Sequence, residues 1–182
     1  MKWGKTRKEI LRSYPRLIDA TLLTLTMLHA LLALTGQIPD IWHALSDSAT
    51  PDRTESLYTG ALGAAATVSG FSGVVVIFAL TANGKRFQNL RVLGGKALKS
   101  NWISSTSSGF FAVLAFTLAN LLSLLNCPSI APYIFQAGFL LLAHSSIRLV
   151  WLLGELTEIV IAADRDAIKQ ARQVSSTREL HG

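Results

Sequence analysis

Four long apolar runs, separated by loops whose charge alternates in sign, constrain this chain more than any other feature. They cover about 17–36, 59–82, 108–126 and 133–153. Each is close to the roughly 20 residues a helix needs to cross a hydrocarbon layer about 30 Å thick. The expected fold is therefore all-α: a polytopic membrane protein whose single domain is a bundle of four transmembrane helices. A basic segment (1–16) precedes the bundle (17–153), and a helical extension and tail (154–182) follow it.

The loop charges set an orientation. Lys2, Lys5, Arg7, Lys8, Arg12 and Arg16 precede the first run, against Glu9 alone. The first loop reverses this, with Asp40, Asp47, Asp52 and Glu55 against Arg53. The second is purely basic, with Lys85, Arg86, Arg91, Lys96 and Lys99, and the last hairpin is uncharged. Lys and Arg stay on the cytoplasmic side, so both termini are expected there, in a bacterial inner membrane. The net charge of +6 then meets anionic headgroups, and no nucleic-acid partner is expected. Trp3, Tyr14, Trp102 and Trp151 fall near the inner boundaries, and Trp42, Tyr58 and Tyr133 near the outer ones. All are expected as interfacial belt residues.

The first run is longer than a signal-peptide core and lacks a small-x-small cleavage site, so it reads as a retained span. Thr50-Pro51-Asp52 reads as a helix start, which places the beginning of span two near Pro51. Asn83-Gly84 reads as an αL-type stop. A short interfacial helix is expected near 39–45, and a helical turn or two on either side of Gly94-Gly95. The last helix is expected to leave the membrane and run to about Gln173, with a frayed tail beyond. The single cysteine, Cys127, reads as inert.

Polar and small residues inside the spans are the candidate site. Gly63, Ala66, Gly70 and Gly73 share a face of span two, and are expected to pack tightly within the bundle or between subunits. In span four, His144, Arg148, Trp151, Glu155 and Glu158 fall on one stripe about 80° wide. The stripe continues through Ala162, Arg165, Asp166 and Lys169. Charges at this depth face protein or water, or snorkel to the interface. Span one adds Asp19, Thr26 and His29, and an Asp19–Arg148 contact is expected to neutralise two intramembrane charges. His29 and His144 each read first as a hydrogen-bonded core residue, with a pH-responsive pair as the alternative. Asn120 is expected to hydrogen-bond to a neighbouring helix.

The sequence contains no HExxH, CxxC, GxSxG or P-loop. No catalysis, cofactor or metal is expected. The leading reading is a non-catalytic, homo-oligomeric membrane protein, the sensor or anchor subunit of an assembly. It meets lipids along its spans and a cytoplasmic protein through its last helix and the basic surface Lys85, Arg86, Arg91, Lys96 and Lys99. One alternative is an oligomeric pore lined by His144, Arg148, Thr67 and the glycine face; a small transporter is a weaker one. Small bacterial immunity, exclusion and phage-defence membrane proteins share this general build. That is a likeness of architecture alone.

Overall fold

The structure is a computed structural model, which describes residues 15–42, 51–125, 127 and 129–179. Four helices account for nearly all of them: α1 (Pro15–Leu34), α2 (Pro51–Thr81), α3 (Lys85–Leu124) and α4 (Ala131–Glu179). Each contains a stretch long and apolar enough to cross a membrane. This is the build of a multi-pass membrane protein.

The distribution of side chains follows from lipid as the solvent. Large apolar residues face outward, among them Leu31, Met27, Phe71, Ile77, Phe111, Leu118, Ile147 and Val150. The interior is rich in small and hydroxylated residues: Ala65, Ser69, Ser72, Ser104, Ser105, Ser108, Ala112, Ala119 and Ser145 are all buried. Helices surrounded by hydrocarbon gain little from hiding apolar surface. They associate instead where small side chains allow close approach and polar groups find partners.

α3 and α4 form the most extensive helix pair; α2 packs on both, and α1 lies along α4 and α3. The core is stacked in three layers. At one end, Tyr58, Phe116, Phe135 and Leu141 form an aromatic cluster with small alanines between them. The Phe135 ring stands between those of Tyr58 and Phe116, with centroids 5.2 and 5.3 Å away. At the other end, Val75, Phe87, Trp102, Leu149, Leu152 and Leu156 form a second apolar cluster. Between them lies a polar layer of serines, Asn101, His144 and Arg148.

Several boundaries differ from the sequence reading. The segment before the third apolar run is helical throughout rather than for a turn or two. Lys85–Leu124 is one helical stretch interrupted at Gly95, whose φ of 32° and ψ of −119° lie outside helical geometry. Only a residue without a Cβ adopts that φ at little cost. Gly84 is not an αL stop for α2: its φ is 120°, and it is the N-cap of α3. The end of α2 is capped from α3 instead. Arg91 Nη1 donates to the carbonyls of Ala79 (3.3 Å) and Ala82 (2.8 Å), two of the acceptors a helix end leaves open.

α2 begins at Pro51 as the sequence suggested; Thr50 lies outside the described residues. So do Trp3, Tyr14 and residues 43–45 of the proposed interfacial helix. The described part of that loop is a turn, in which Trp42 N donates to Asp40 Oδ1 and Trp42 Nε1 to Gln136 Oε1 of α4 at 2.9 Å. α4 continues to Glu179, past the end expected near Gln173.

Three of the aromatic residues assigned to interfacial belts pack inside the bundle. Tyr58, Trp102 and Tyr133 are buried, whereas Trp151 is exposed. A sequence position near a boundary gives the depth of a ring, but not whether it faces lipid or a neighbouring helix.

Candidate functional site

The candidate site is the polar layer, and it is built from three helices. α1 supplies Asp19, α3 supplies Asn101, Ser104 and Ser108, and α4 supplies His144 and Arg148. The two α4 residues are four apart, so successive helical turns bring them together on one face.

Asp19 is the hub. His144 Nδ1 lies 2.6 Å from Asp19 Oδ1, and Ser108 Oγ donates to the same oxygen at 2.8 Å. Ser104 Oγ donates to Oδ2 at 3.2 Å. On the far side of the imidazole, Arg148 Nε donates to His144 Nε2 at 2.7 Å. Arg148 also donates through Nη1 to Asn101 Oδ1 at 2.5 Å.

These contacts define the tautomer. A guanidinium only donates, so Nε2 of His144 must hold its lone pair and the ring proton must sit on Nδ1, facing Asp19. A neutral imidazole thus bridges a carboxylate and a guanidinium, and the cluster as a whole carries no net charge. A charge at this depth is tolerated when it faces protein and finds a partner, and each member of the cluster does so.

The layer continues beside this cluster as a close approach of α2, α3 and α4. Ser145 Oγ donates to the Ser105 carbonyl at 2.8 Å and Ser105 Oγ to the Ser145 carbonyl at 3.4 Å. Gly109 completes the contact, since a Cβ there would stand 2.6 Å from Ser69 Oγ and 3.2 Å from Ser145 Oγ. Ser72 and Thr106 hydroxyls meet at 3.2 Å.

Asp19 and Arg148 were expected in direct contact; the structure instead links them through the ring of His144, which bonds Asp19 on one side and Arg148 on the other. His29 is not part of it. Its ring sits edge-on to Tyr133, with centroids 6.1 Å apart, ten residues further along α1. The two histidines therefore do not form a pair. The lower part of the α4 stripe is also separate, because Glu155 and Glu158 are exposed. Asn120 Oδ1 is buried without a hydrogen-bond partner among the described residues, contrary to the expected cross-helix bond.

The glycine face of α2 does not pack within the bundle. Gly63, Ala66 and Gly70 are exposed, and a Cβ added at Gly63, Gly70 or Gly73 would meet nothing within 4 Å. α2 instead buries Thr54, Tyr58, Ala65, Ser69, Ser72, Val75 and Ala79. Within this seam the Ser72 hydroxyl meets that of Thr106, while Tyr58 Oη and Ser69 Oγ are buried without a hydrogen-bond partner among the described residues. The bare glycine ridge is left outside. Thr67, also exposed, returns its hydroxyl to the Gly63 carbonyl. Of the residues of the pore reading, Thr67 and the glycine face therefore lie on the outside of α2, whereas His144 and Arg148 lie inside the bundle.

Of the basic surface, Arg91 caps α2, and Arg86 is paired with Asp166 of α4, with Nε and Nη2 both 2.8 Å from Oδ2. Lys85 and Lys99 are exposed; the Lys96 side chain lies outside the described residues. Sequence reasoning missed Asn101, Ser104, Ser105 and Ser108. Their spacing of three, one and three residues is itself a helical stripe, but it straddles the expected boundary between the basic connection and the third apolar run, which begins at Ser108.

No family model matches this chain, and no curated protein and no solved structure is similar to it.

Proposed function

We propose that this chain is a non-catalytic protein of the bacterial inner membrane, with both termini in the cytoplasm. In this reading it is the anchor or sensor subunit of an assembly, and its partner docks on the projecting part of α4. One observation carries the reading: α4 is a single helix of 49 residues, about 73 Å long at 1.5 Å per residue. That is more than twice the thickness of a hydrocarbon core. The same rigid element holds His144 and Arg148 within the bundle and extends well past it.

The extension has the character of a docking edge. Ile161 and Ile168 are both exposed and lie seven residues apart, hence on one side of the helix, among Asp164, Arg165 and Arg172. In lipid an outward isoleucine is ordinary. On a helix leaving the membrane beside charged residues, a pair at this spacing is the anchor pattern of helix-in-groove recognition. Orientation follows from the basic flanks at Arg16 and Lys85–Lys99. The bare glycine ridge of α2 supports self-association, since close backbone approach is what small-xxx-small faces permit.

The test is crosslinking of the tagged chain in intact cells, followed by purification, with the native sequence and with Ile161→Asp/Ile168→Asp. Both side chains are exposed, so the variant keeps its bundle. The expected outcome is a crosslinked partner that the variant loses. An identical crosslinking pattern in both proteins, or reporter fusions placing the C-terminus outside the cytoplasm, would overturn the proposal.

A further inference from the structure

The kink in α3 opens a cleft of about 580 Å³ between α2 and α3. Its walls are apolar, formed by Val76 and Leu80 of α2 and by Trp102 and Ile103 of α3. Its lip carries Arg91 and Lys99, one on each side of Gly95, and none of the lining residues is acidic.

The two cations are available in different ways. Arg91 is fixed, because Nη1 is committed to the carbonyls at the end of α2. A guanidinium has five donors in a planar fork, so Nε and Nη2 remain without an acceptor among the described residues. Lys99 is exposed and has no ion-pair partner among them. By contrast Arg86, a few residues away, is neutralised by Asp166.

Depth decides what such a cleft accepts. The apolar wall runs along the membrane-spanning parts of α2 and α3, while Arg91 and Lys99 stand where those parts end. An occupant must therefore be apolar where it enters the bundle and anionic at the boundary. We infer that the cleft beside Gly95 binds an anionic glycerophospholipid, with an acyl chain against Val76, Leu80 and Ile103 and the phosphate between Arg91 and Lys99. Charge complementarity selects the headgroup. Basic pockets between membrane helices recognise lipid phosphates in this way, and the pre-positioned fork of Arg91 suits a phosphate better than a loose ammonium does. The inference requires only that the bundle lies in a bilayer. Its failure would leave the docking of a partner on α4 untouched.

The test uses the full chain in mild detergent and native mass spectrometry, with dioleoyl phosphatidylglycerol and dioleoyl phosphatidylcholine at equal concentration. The expected result is preferential retention of phosphatidylglycerol. Lys99→Ala should lower that retention about fivefold, as expected for one cation at an anionic headgroup, and narrow the preference over net-neutral phosphatidylcholine. Ile103→Trp, which fills the cleft, should lower retention of both lipids. Arg91→Ala is avoided because it also uncaps α2. Soluble glycerol phosphate or inorganic phosphate in large excess should displace nothing. Equal retention of the two lipids, indifference to Lys99→Ala, or displacement by a free phosphate would each overturn the assignment. The last result would mark the site as one for a small anion.

Discussion

Replacing Asp19 tests the polar layer most directly, because Asp19 is the only contribution of α1 to it. Thr26 is the one buried residue of α1 among those described, and most of the helix faces outward. Attachment of α1 therefore leans on the contacts of Asp19 and on the edge contact between His29 and Tyr133. Asp19→Ala removes the acceptor for His144, Ser104 and Ser108. At about 0.6 kcal/mol for an average hydrogen bond between membrane helices, those three contacts sum to about 2 kcal/mol. It also leaves Arg148 without its counter-charge. Removing one partner of a fully buried ion pair costs about 3–5 kcal/mol, but Asp19 retains a 20 % exposed side chain, so the lower part of that range applies. The expected destabilisation is about 2–4 kcal/mol in total, since the two contributions overlap. Asp19→Asn should lose about half of it, because an amide oxygen still accepts from Nδ1 of His144 but brings no charge.

The decisive measurement is a double-mutant cycle with Arg148→Met, followed by reversible unfolding in bicelles. With the cation gone, the carboxylate no longer has a charge to balance, so the double variant should be more stable than the sum of the single losses by at least about 1 kcal/mol. Cys127 is the single cysteine of the sequence and is exposed, which gives a ready labelling position near the opposite end of the bundle. Additivity within about 0.5 kcal/mol would refute the bridge through His144.

Other outcomes follow from the packing. Gly138→Ala should destabilise the bundle by about 1–3 kcal/mol, the usual penalty of overpacking. Its Cβ would stand 3.0 Å from the Phe116 ring and 3.1 Å from Ala115 Cβ, and the same unfolding assay reads the loss. Gly63→Leu/Gly70→Leu should leave the stability of the monomer nearly unchanged, since nothing lies within 4 Å of either new Cβ. If the ridge joins copies of the chain, the variant runs as a monomer at concentrations where the native protein is oligomeric, as read by light scattering in detergent. Unchanged oligomers would remove the ridge from the interface. Reversing Arg86 to Asp should loosen the approach of the α3 N-terminal segment to α4, and Asp166→Arg in the same chain should restore it. Because the pair is exposed, the effect should be small and fade with salt; spin-label distances between the two segments would follow it.

Periodicity gave the common face of His144 and Arg148, and depth suggested Asp19 as their counterpart. The ring of His144 as the bridge was not legible. Pairing between helices depends on the rotation of each about its own axis, which one chain's pattern leaves open when the outside is as apolar as the inside. The same ambiguity misplaced the α2 glycines: small residues mark a possible close approach, but not which neighbour makes it. Asn101, Ser104 and Ser108 were legible in spacing, yet Asn101 and Ser104 stood in a stretch whose charges suggested a loop, which cut them off from Ser108 at the start of the third span.

The sequence by itself determined that four helices are long and apolar enough to cross a bilayer. Those properties are set locally, by the run length of apolar residues and by the cost of exposing a backbone to hydrocarbon. Only the tertiary structure decided which polar groups meet and which face of α2 is buried. It also decided that the kink at Gly95 opens a cationic cleft. Those depend on helix rotation and register, and both are fixed by contacts between residues far apart in the chain.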